Sequence, residues 1–414
     1  MRFRMYINVI ICLALLVGLY LPAFAQTNDR QSIVDSLDIE QFKFNIEILA
    51  SFGDRTQGSP SYALAADWVA EQLEAMGYTV EEYFYAFLGG VRSSLYATKI
   101  GTDFPDQMYI VSAHLDGRGN GGAADDDASG SSLVLEVARA LAQPGVETAT
   151  SVRFIFWNNE ETGLNGSTAY VNERQNLQGI ENPPGSGLYP EPTWLGIIQH
   201  DMILFDHGFP VQSQQVPDAD LDVEYQATST FAQQSLTLAQ ALQNSNTTYS
   251  TDYPADIGNN MRNTDSVPFR DFTAAVSVRE NTRDDIGRGS NPNWHQPTDV
   301  YATYSEADFR LGFNAVQMTL GAVAELTDAT MNTIVPGDVN CDNVSNSLDS
   351  LFISQFEVGF RESTDSCDAV EQAGDTLLYL PACDVDGDNQ CNALDALLIL
   401  QCDVGVENQL CLSR

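Results

Sequence analysis

Met108-Tyr109-Ile110-Val111-Ser112-Ala113-His114 is an apolar run that turns polar only at its last residues, and Leu115-Asp116 follow it. A continuous apolar stretch of this length reads as a strand buried on both faces, the kind found inside a parallel sheet. In extended geometry residues two apart share a face, so Asp116 is placed to orient the imidazole of His114. Working outward, strand-like stretches precede it at 78–86 and 93–100, and others follow at 151–157, 194–200 and 273–279. Helical periodicity falls between them at 62–76 (Leu64, Trp68, Leu73, Met76, with Gly77 as a stop), 129–142, 165–175, 229–242 and 305–326. Alternating strands and helices predict an α/β fold, a three-layer αβα sandwich around a mostly parallel sheet. Such folds collect ligands at the carboxyl ends of their strands.

The acidic clusters stand at those ends. Ala124-Asp125-Asp126-Asp127-Ala128-Ser129-Gly130 precedes a helix, where acids also belong for the sake of the helix dipole. Three successive carboxylates repel one another unless cations neutralise them. Phe154-Ile155-Phe156-Trp157-Asn158-Asn159 runs into Glu160-Glu161, whose side chains diverge because they are neighbours at a strand end. One can then hold a metal while the other faces the water it activates. Ile197-Ile198-Gln199-His200 leads to Asp201-Met202, and Asn293-Trp294-His295-Gln296-Pro297-Thr298-Asp299 lies in a loop. Of the four histidines, His200 neighbours Asp201 on a strand and so points into packing, while His207 lies in a loop. Residues 176–193, with Asn182-Pro183-Pro184-Gly185, read as a surface loop near the site.

Taken in order, these segments resemble the bacterial leucyl aminopeptidase family of co-catalytic di-zinc exopeptidases, over about residues 40–326. That family's pattern runs His-x-Asp, an Asp-rich turn ending Ser-Gly, Glu-Glu-x-Gly-Leu-x-Gly-Ser, Asp-Met, and His-x-x-x-Asp-Thr. The resemblance implies that Asp126 bridges two zinc ions, with His114 and Asp201 completing one and Glu161 and His295 the other. It also implies Glu160 as general base, Asp116 and Asp299 as supports, and a cis peptide between Asp126 and Asp127. A pair of ions in such a site lowers the pKa of a shared water and polarises the scissile carbonyl. One ion can also hold the free α-amine, which directs attack to the N-terminus. The pattern departs at Asn158-Asn159 before Glu160, at Ala123, at Val300, and at Trp294, where some relatives have a tyrosine that serves as oxyanion donor. A glutaminyl cyclase or a carboxypeptidase on the same fold is the alternative enzyme. A calcium-dependent binding protein with an inactive peptidase body is the alternative outside enzymology.

Composition bounds the rest. The first 25 residues carry Arg2 and Arg4, an apolar run from Met5 to Leu21 and Ala23-Phe24-Ala25, the form of a cleaved secretory signal. A secreted, extracellular or periplasmic protein is expected. The formal charge of −38 excludes nucleic acid and anionic membranes as partners and leaves peptide substrates. Apart from Cys12, all cysteines lie between Cys341 and Cys411. Residues 26–330 therefore read as the peptidase domain, and 331–414 as a small, disulfide-rich, helical domain whose pairing has fifteen possibilities. That tail repeats a twelve-residue loop. Asp338, Asn340, Asp342, Asn346 and Asp349 stand at positions 1, 3, 5, 9 and 12, and Asp384, Asp386, Asp388, Asn392 and Asp395 recur at the same ones. Val344 and Gln390, at position 7, offer carbonyls, so each loop has the oxygen donors of a calcium site. Asn343 and Asn389 stand where such loops use glycine and tolerate the same left-handed turn. The repeat resembles type I dockerin modules, which implies two bound calcium ions and a cohesin-like partner. A calcium-stapled stability module is the plainer reading.

Overall fold

The computed structural model describes residues 29–206, 221–250, 252–280, 291–331, 336–342, 344–364, 367–373, 376–387 and 390–406. The signal segment, His207, Asn343, Asp388, Asn389 and Cys411 lie outside them. The chain divides into two compact units, one of residues up to 142 and 147–330, the other of residues 143–146 and 331–414.

The first unit opens with helix α1 (Ile39–Ser51) and helix α2 (Pro60–Ala75). Asp38 caps α1 by accepting from the amides of Glu40 and Gln41. Ser59 caps α2 with Pro60 in its first turn, where a missing N–H costs nothing. The helical period expected for α2 is present but its buried stripe is shifted, with Leu73 common to both. Tyr62, Ala65, Val69 and Leu73 are buried, whereas Leu64 is 56% exposed. Small Ala65 lets α2 lie close to its neighbour, and the larger Leu64 is left outside. Strands β1 (Val80–Phe87), β2 (Gly90–Lys99) and β3 (Phe104–His114) lead to helix α3 (Gly130–Leu141). Then come β4 (Thr150–Trp157), α4 (Asn165–Arg174), β5 (Thr193–His200), β6 (Leu221–Tyr225), α5 (Ala232–Tyr249), β7 (Ala255–Gly258), β8 (Ala274–Arg279) and α6 (Glu306–Leu326). Helix α6 starts at a capping box formed by Ser305 and Asp308.

Eight strands make one sheet in the order β1-β2-β4-β3-β5-β8-β6-β7. The four central strands, β4, β3, β5 and β8, are mutually parallel. The β1–β2 and β2–β4 pairs and the β8–β6 pair are antiparallel. The mixed α/β architecture with a mostly parallel sheet is the one expected. Alternation sends Met108 and Ile110 of β3, Ile155 and Trp157 of β4 and Ile197 of β5 to one face. There they pack with Tyr170 of α4 and with Phe269. On the other face α3 packs on β3 and β4, and also against α1, α2 and α6. It is buried on every side except at Arg139. Residues 176–192 form an irregular surface segment pinned by Glu191, whose carboxylate lies 2.8 Å from Arg153 Nη1.

In the second unit, helices α7 (Ser347–Glu357), α8 (Cys367–Ala373) and α9 (Ala393–Asp403) accompany a short parallel pair, β9 (Glu362–Thr364) and β10 (Leu377–Tyr379). Val339, Phe352, Ile353, Leu378, Tyr379 and Ile399 form its core. Cys341 pairs with Cys367 and Cys383 with Cys391. The two twelve-residue loops end alike, because Asn346 with Asp349 and Asn392 with Asp395 each form a capping box on the helix that follows. The left-handed residues described in these loops are Cys341 (φ 61°) and Gly387 (φ 81°), both at position 4. Among the described residues no helix is long and apolar enough to cross a membrane.

Candidate metal centre

The carboxyl ends of β3, β4 and β5 deliver His114, the Glu160–Glu161 turn and Asp201 to one place. His114 N–H donates to Asp127 Oδ2 at 3.1 Å, and its carbonyl accepts from Ser131 Oγ at 2.8 Å. Its Nδ1 lies 2.9 Å from the main-chain carbonyl of Asp116. That carbonyl can only accept, so Nδ1 carries a proton and Nε2 is the nitrogen turned to the site. Asp116 thus meets the ring expected for it, but through its main chain rather than its side chain. Its carboxylate is 3.9 Å from Nδ1 and instead accepts from the amides of Glu160, at 3.1 Å, and Glu161, at 3.4 Å. Asp116 thus holds the ring through its backbone and the glutamate turn through its side chain.

The three consecutive aspartates are all buried, each with a different role. Asp125 accepts from Leu204 N–H and Asn291 Nδ2, and Asp127 from the amides of Gly130, His114 and Met202. Gly130 is glycine for a steric reason, since a Cβ there would stand 2.5 Å from Asp127 Oδ1. Asp126, between them, turns its carboxylate toward both histidines, 3.1 Å from His114 Nε2 and 3.1 Å from His295 Nε2. The Asp126–Asp127 peptide is cis. Asp299 fixes this turn from below, accepting from the amides of Asp125 at 2.9 Å and Asp126 at 3.2 Å, and from Tyr304 OH at 2.8 Å. His295 Nε2 is also 2.9 Å from Glu161 Oε2.

Two groups of donor atoms result, His114–Asp126–Asp201 and Asp126–Glu161–His295, which share Asp126. Glu160 belongs to neither, yet it lines the same cavity of about 460 Å³ together with Arg118, Leu164, Asn263 and Trp294. The Trp294 ring stacks on His295 with centroids 4.3 Å apart. Burial and the charge of Asp126 push Glu161 up to about 7. Burial, opposed by His114 but reinforced by Asp201 and Asp265, holds Glu160 well above the usual carboxylate range. So much confined negative charge calls for cations. The donors also suit a divalent metal. Nitrogen and oxygen ligands without thiolate fit zinc, and His114 Nε2 and Glu161 Oε1 are buried without a hydrogen-bond partner.

His200 behaves as its position on the strand predicts. Its ring is fully buried between the Ser112 carbonyl and Thr319 Oγ1, and burial pushes its pKa down to about 3. Asp265 has no signal in the sequence. It is fully buried, bonded to Ser167 Oγ through one oxygen and unpartnered at the other. The short loop before Phe269 that carries it has no periodicity to draw the eye.

A model of Peptidase family M28 matches residues 96–318, more than half of the chain, and the chain belongs to that family. Leupeptin-inactivating enzyme 1 of Streptomyces exfoliatus is 35% identical over 135 residues, which cover 33% of this chain and 30% of the relative. A probable zinc metalloprotease of Pyricularia oryzae is 29% identical over 197 residues, 40% of this chain and 39% of the relative. The chain thus spans well under half the length of the curated relatives it matches. Among solved structures, the LapA aminopeptidase of Legionella pneumophila superimposes with a TM-score of 0.57 at 19% identity, covering 72% of this chain and 74% of that one. The glutaminyl cyclase of Porphyromonas gingivalis gives 0.52 at 19%, covering 70% and 99%. At such identities the shared property is the fold.

Proposed function

We propose that this chain is a secreted zinc aminopeptidase that releases N-terminal residues from unblocked peptides. The observation that carries the proposal is the pair of donor groups joined at Asp126, with Glu160 beside them in one cavity. His114, Asp126 and Asp201 would hold one zinc ion and Asp126, Glu161 and His295 the other. When bound, the metals supply an acidified water and a polarised carbonyl. Glu160 takes the proton of that water and delivers it to the leaving amine, the role open to a carboxylate that faces the cavity without being a ligand. Asp116, by gripping the amides of Glu160 and Glu161, keeps base and ligand in fixed relation. Asp299 does the same for the shared Asp126.

The test compares a peptide with its N-acetylated form on the zinc-loaded protein. The free peptide should be shortened from its N-terminus and the blocked one spared. Equal rates on the two would refute the exopeptidase reading. The fold also supports glutaminyl cyclases, so ring closure of a glutamine-led peptide without residue release would replace it with acyl transfer. Shortening from the other end would make the protein a carboxypeptidase.

For the C-terminal unit we propose two calcium ions, one in each twelve-residue loop. The cluster of Asp384, Asp386 and Asp395 supports the second site. A stabilising module accounts for these features without a docking partner.

A further inference from the structure

Arg279 is the last residue of β8 and is almost wholly buried, at 3% exposure. Burying a guanidinium is costly, so its surroundings must compensate. Strands β5 and β8 run side by side, with His200 opposite Val278, and Asp201 N–H continues the pairing by donating to the Val278 carbonyl. This brings Arg279 Nη1 to 2.9 Å from Asp201 Oδ2, both side chains being about 4% exposed. Across the other edge of β8, the antiparallel β6 places Asp222 opposite Arg279, with Glu224 two residues further along. Nη2 also approaches Met202 Sδ at 3.7 Å.

We propose that Arg279 is a positioning residue for Asp201. By its buried ion pair with one carboxylate oxygen it holds the Asp201 side chain in place and so sets the metal affinity of the His114–Asp126–Asp201 half of the site. The inference rests on Asp201 being a ligand, as proposed above. The other half is built differently. Glu161 has His295 at 2.9 Å, and among the described residues the guanidinium paired with it is that of Arg118, 3.8 Å away on a side chain 54% exposed. Among the described residues a buried clamp therefore serves one half, and removing it should weaken one zinc site and spare the other.

Zinc competition against a chromophoric chelator, on the purified full chain, tests this with Arg279→Gln, Arg279→Lys and Asp201→Asn. Loss of a group supporting a metal ligand typically costs about 10–100-fold in affinity. Arg279→Gln should show that loss at one of two sites and none at the other. Arg279→Lys should recover part of it, since lysine restores the charge without the planar fork. Both zinc affinities of Arg279→Gln staying within about 2-fold of wild type, while Asp201→Asn loses a site, would overturn the clamp. Equal weakening of both sites would overturn it too, because that is what general loosening of the fold produces. Should Arg279→Gln fail to give a folded circular-dichroism spectrum, the comparison of Arg279→Lys with wild type decides by the same criteria. If Asp201→Asn retains two zinc ions, the ligand assignment itself is wrong.

Discussion

At the scale of single residues, the site separates identical side chains by what their neighbours demand of them. Asp125 and Asp127 spend their oxygens on amides, while Asp126 between them keeps both for the two histidines. The same logic divides Glu160 from Glu161. Their amides share one acceptor, Asp116, but only Glu161 reaches His295. Glu160→Gln keeps the shape and removes the proton acceptor, so turnover should fall by about 10²–10⁴, the range typical of a general base. Its zinc content should stay at that of wild type. Glu161→Gln should lose zinc, because a neutral amide is a poorer ligand than a carboxylate, and its activity should partly return at high zinc. Metal analysis and turnover of both variants decide the matter. Rescue of Glu160→Gln by added zinc would mean that the two roles are exchanged.

Among the elements, the decisive one is the turn between β3 and α3, and Arg55 holds it from beneath. Its guanidinium donates to the carbonyls of Leu115 at 2.8 Å, Leu49 at 3.0 Å, Gly122 at 2.6 Å and Ala123 at 3.0 Å. Arg55→Met would bury these acceptors without a donor, at about 1–3 kcal/mol for each one left unpaired. Allowing for relaxation, urea unfolding should show a loss of at least about 3 kcal/mol, with activity falling alongside. A loss below about 1 kcal/mol would mean that water or a neighbouring group takes over the role. Nothing in the sequence around Arg55 announces this, because its partners are main-chain atoms drawn together by the fold. What could be read from sequence was whatever has a period or a strand end. Most strands and helices lie within two residues or so of their expected bounds, although β3 begins four residues earlier and α5 ends seven later than expected, and His114, Asp126, Glu161, Asp201 and His295 do converge. Helix α1 is hard to read in the sequence, although Phe42, Ile46 and Leu49 keep helical spacing, because Phe44, 48% exposed, interrupts the polar face. Strand β6 was hidden for the opposite reason. Its alternate positions are Asp222 and Glu224, acids buried toward Arg279 and thus illegible as a core-facing strand.

Taken whole, the molecule carries a formal charge of −38, and its two units place part of that charge differently. In the first, carboxylates converge from distant parts of the chain onto the strand ends. In the second they come from two local loops, each closed by its own helix cap. That difference makes the tail the simpler case to test. Asp349 Oδ1 accepts from the amides of Val339 and Asn340, and Asp395 Oδ1 from those of Val385 and Asp386. Each loop is thus drawn around its twelfth residue, and Cys383–Cys391 further closes the second. Burial, reinforced by Asp338 and Asp342, already pushes Asp349 up to about 6, so a cation at that loop would relieve a charge the fold has concentrated. Calorimetric titration of the oxidised full-length chain should find two calcium ions beyond any metal held in the first unit. Asp384→Ala should reduce the count to one and leave zinc content unchanged. Calcium should also raise resistance to proteolysis within residues 336–406, since ligand bound to the folded form alone stabilises it by mass action. Disulfides that keep the apo loops folded would shrink that gain but not the stoichiometry. The count of bound calcium is therefore the deciding measurement, and none bound at millimolar calcium would leave the loops as helix caps and nothing more.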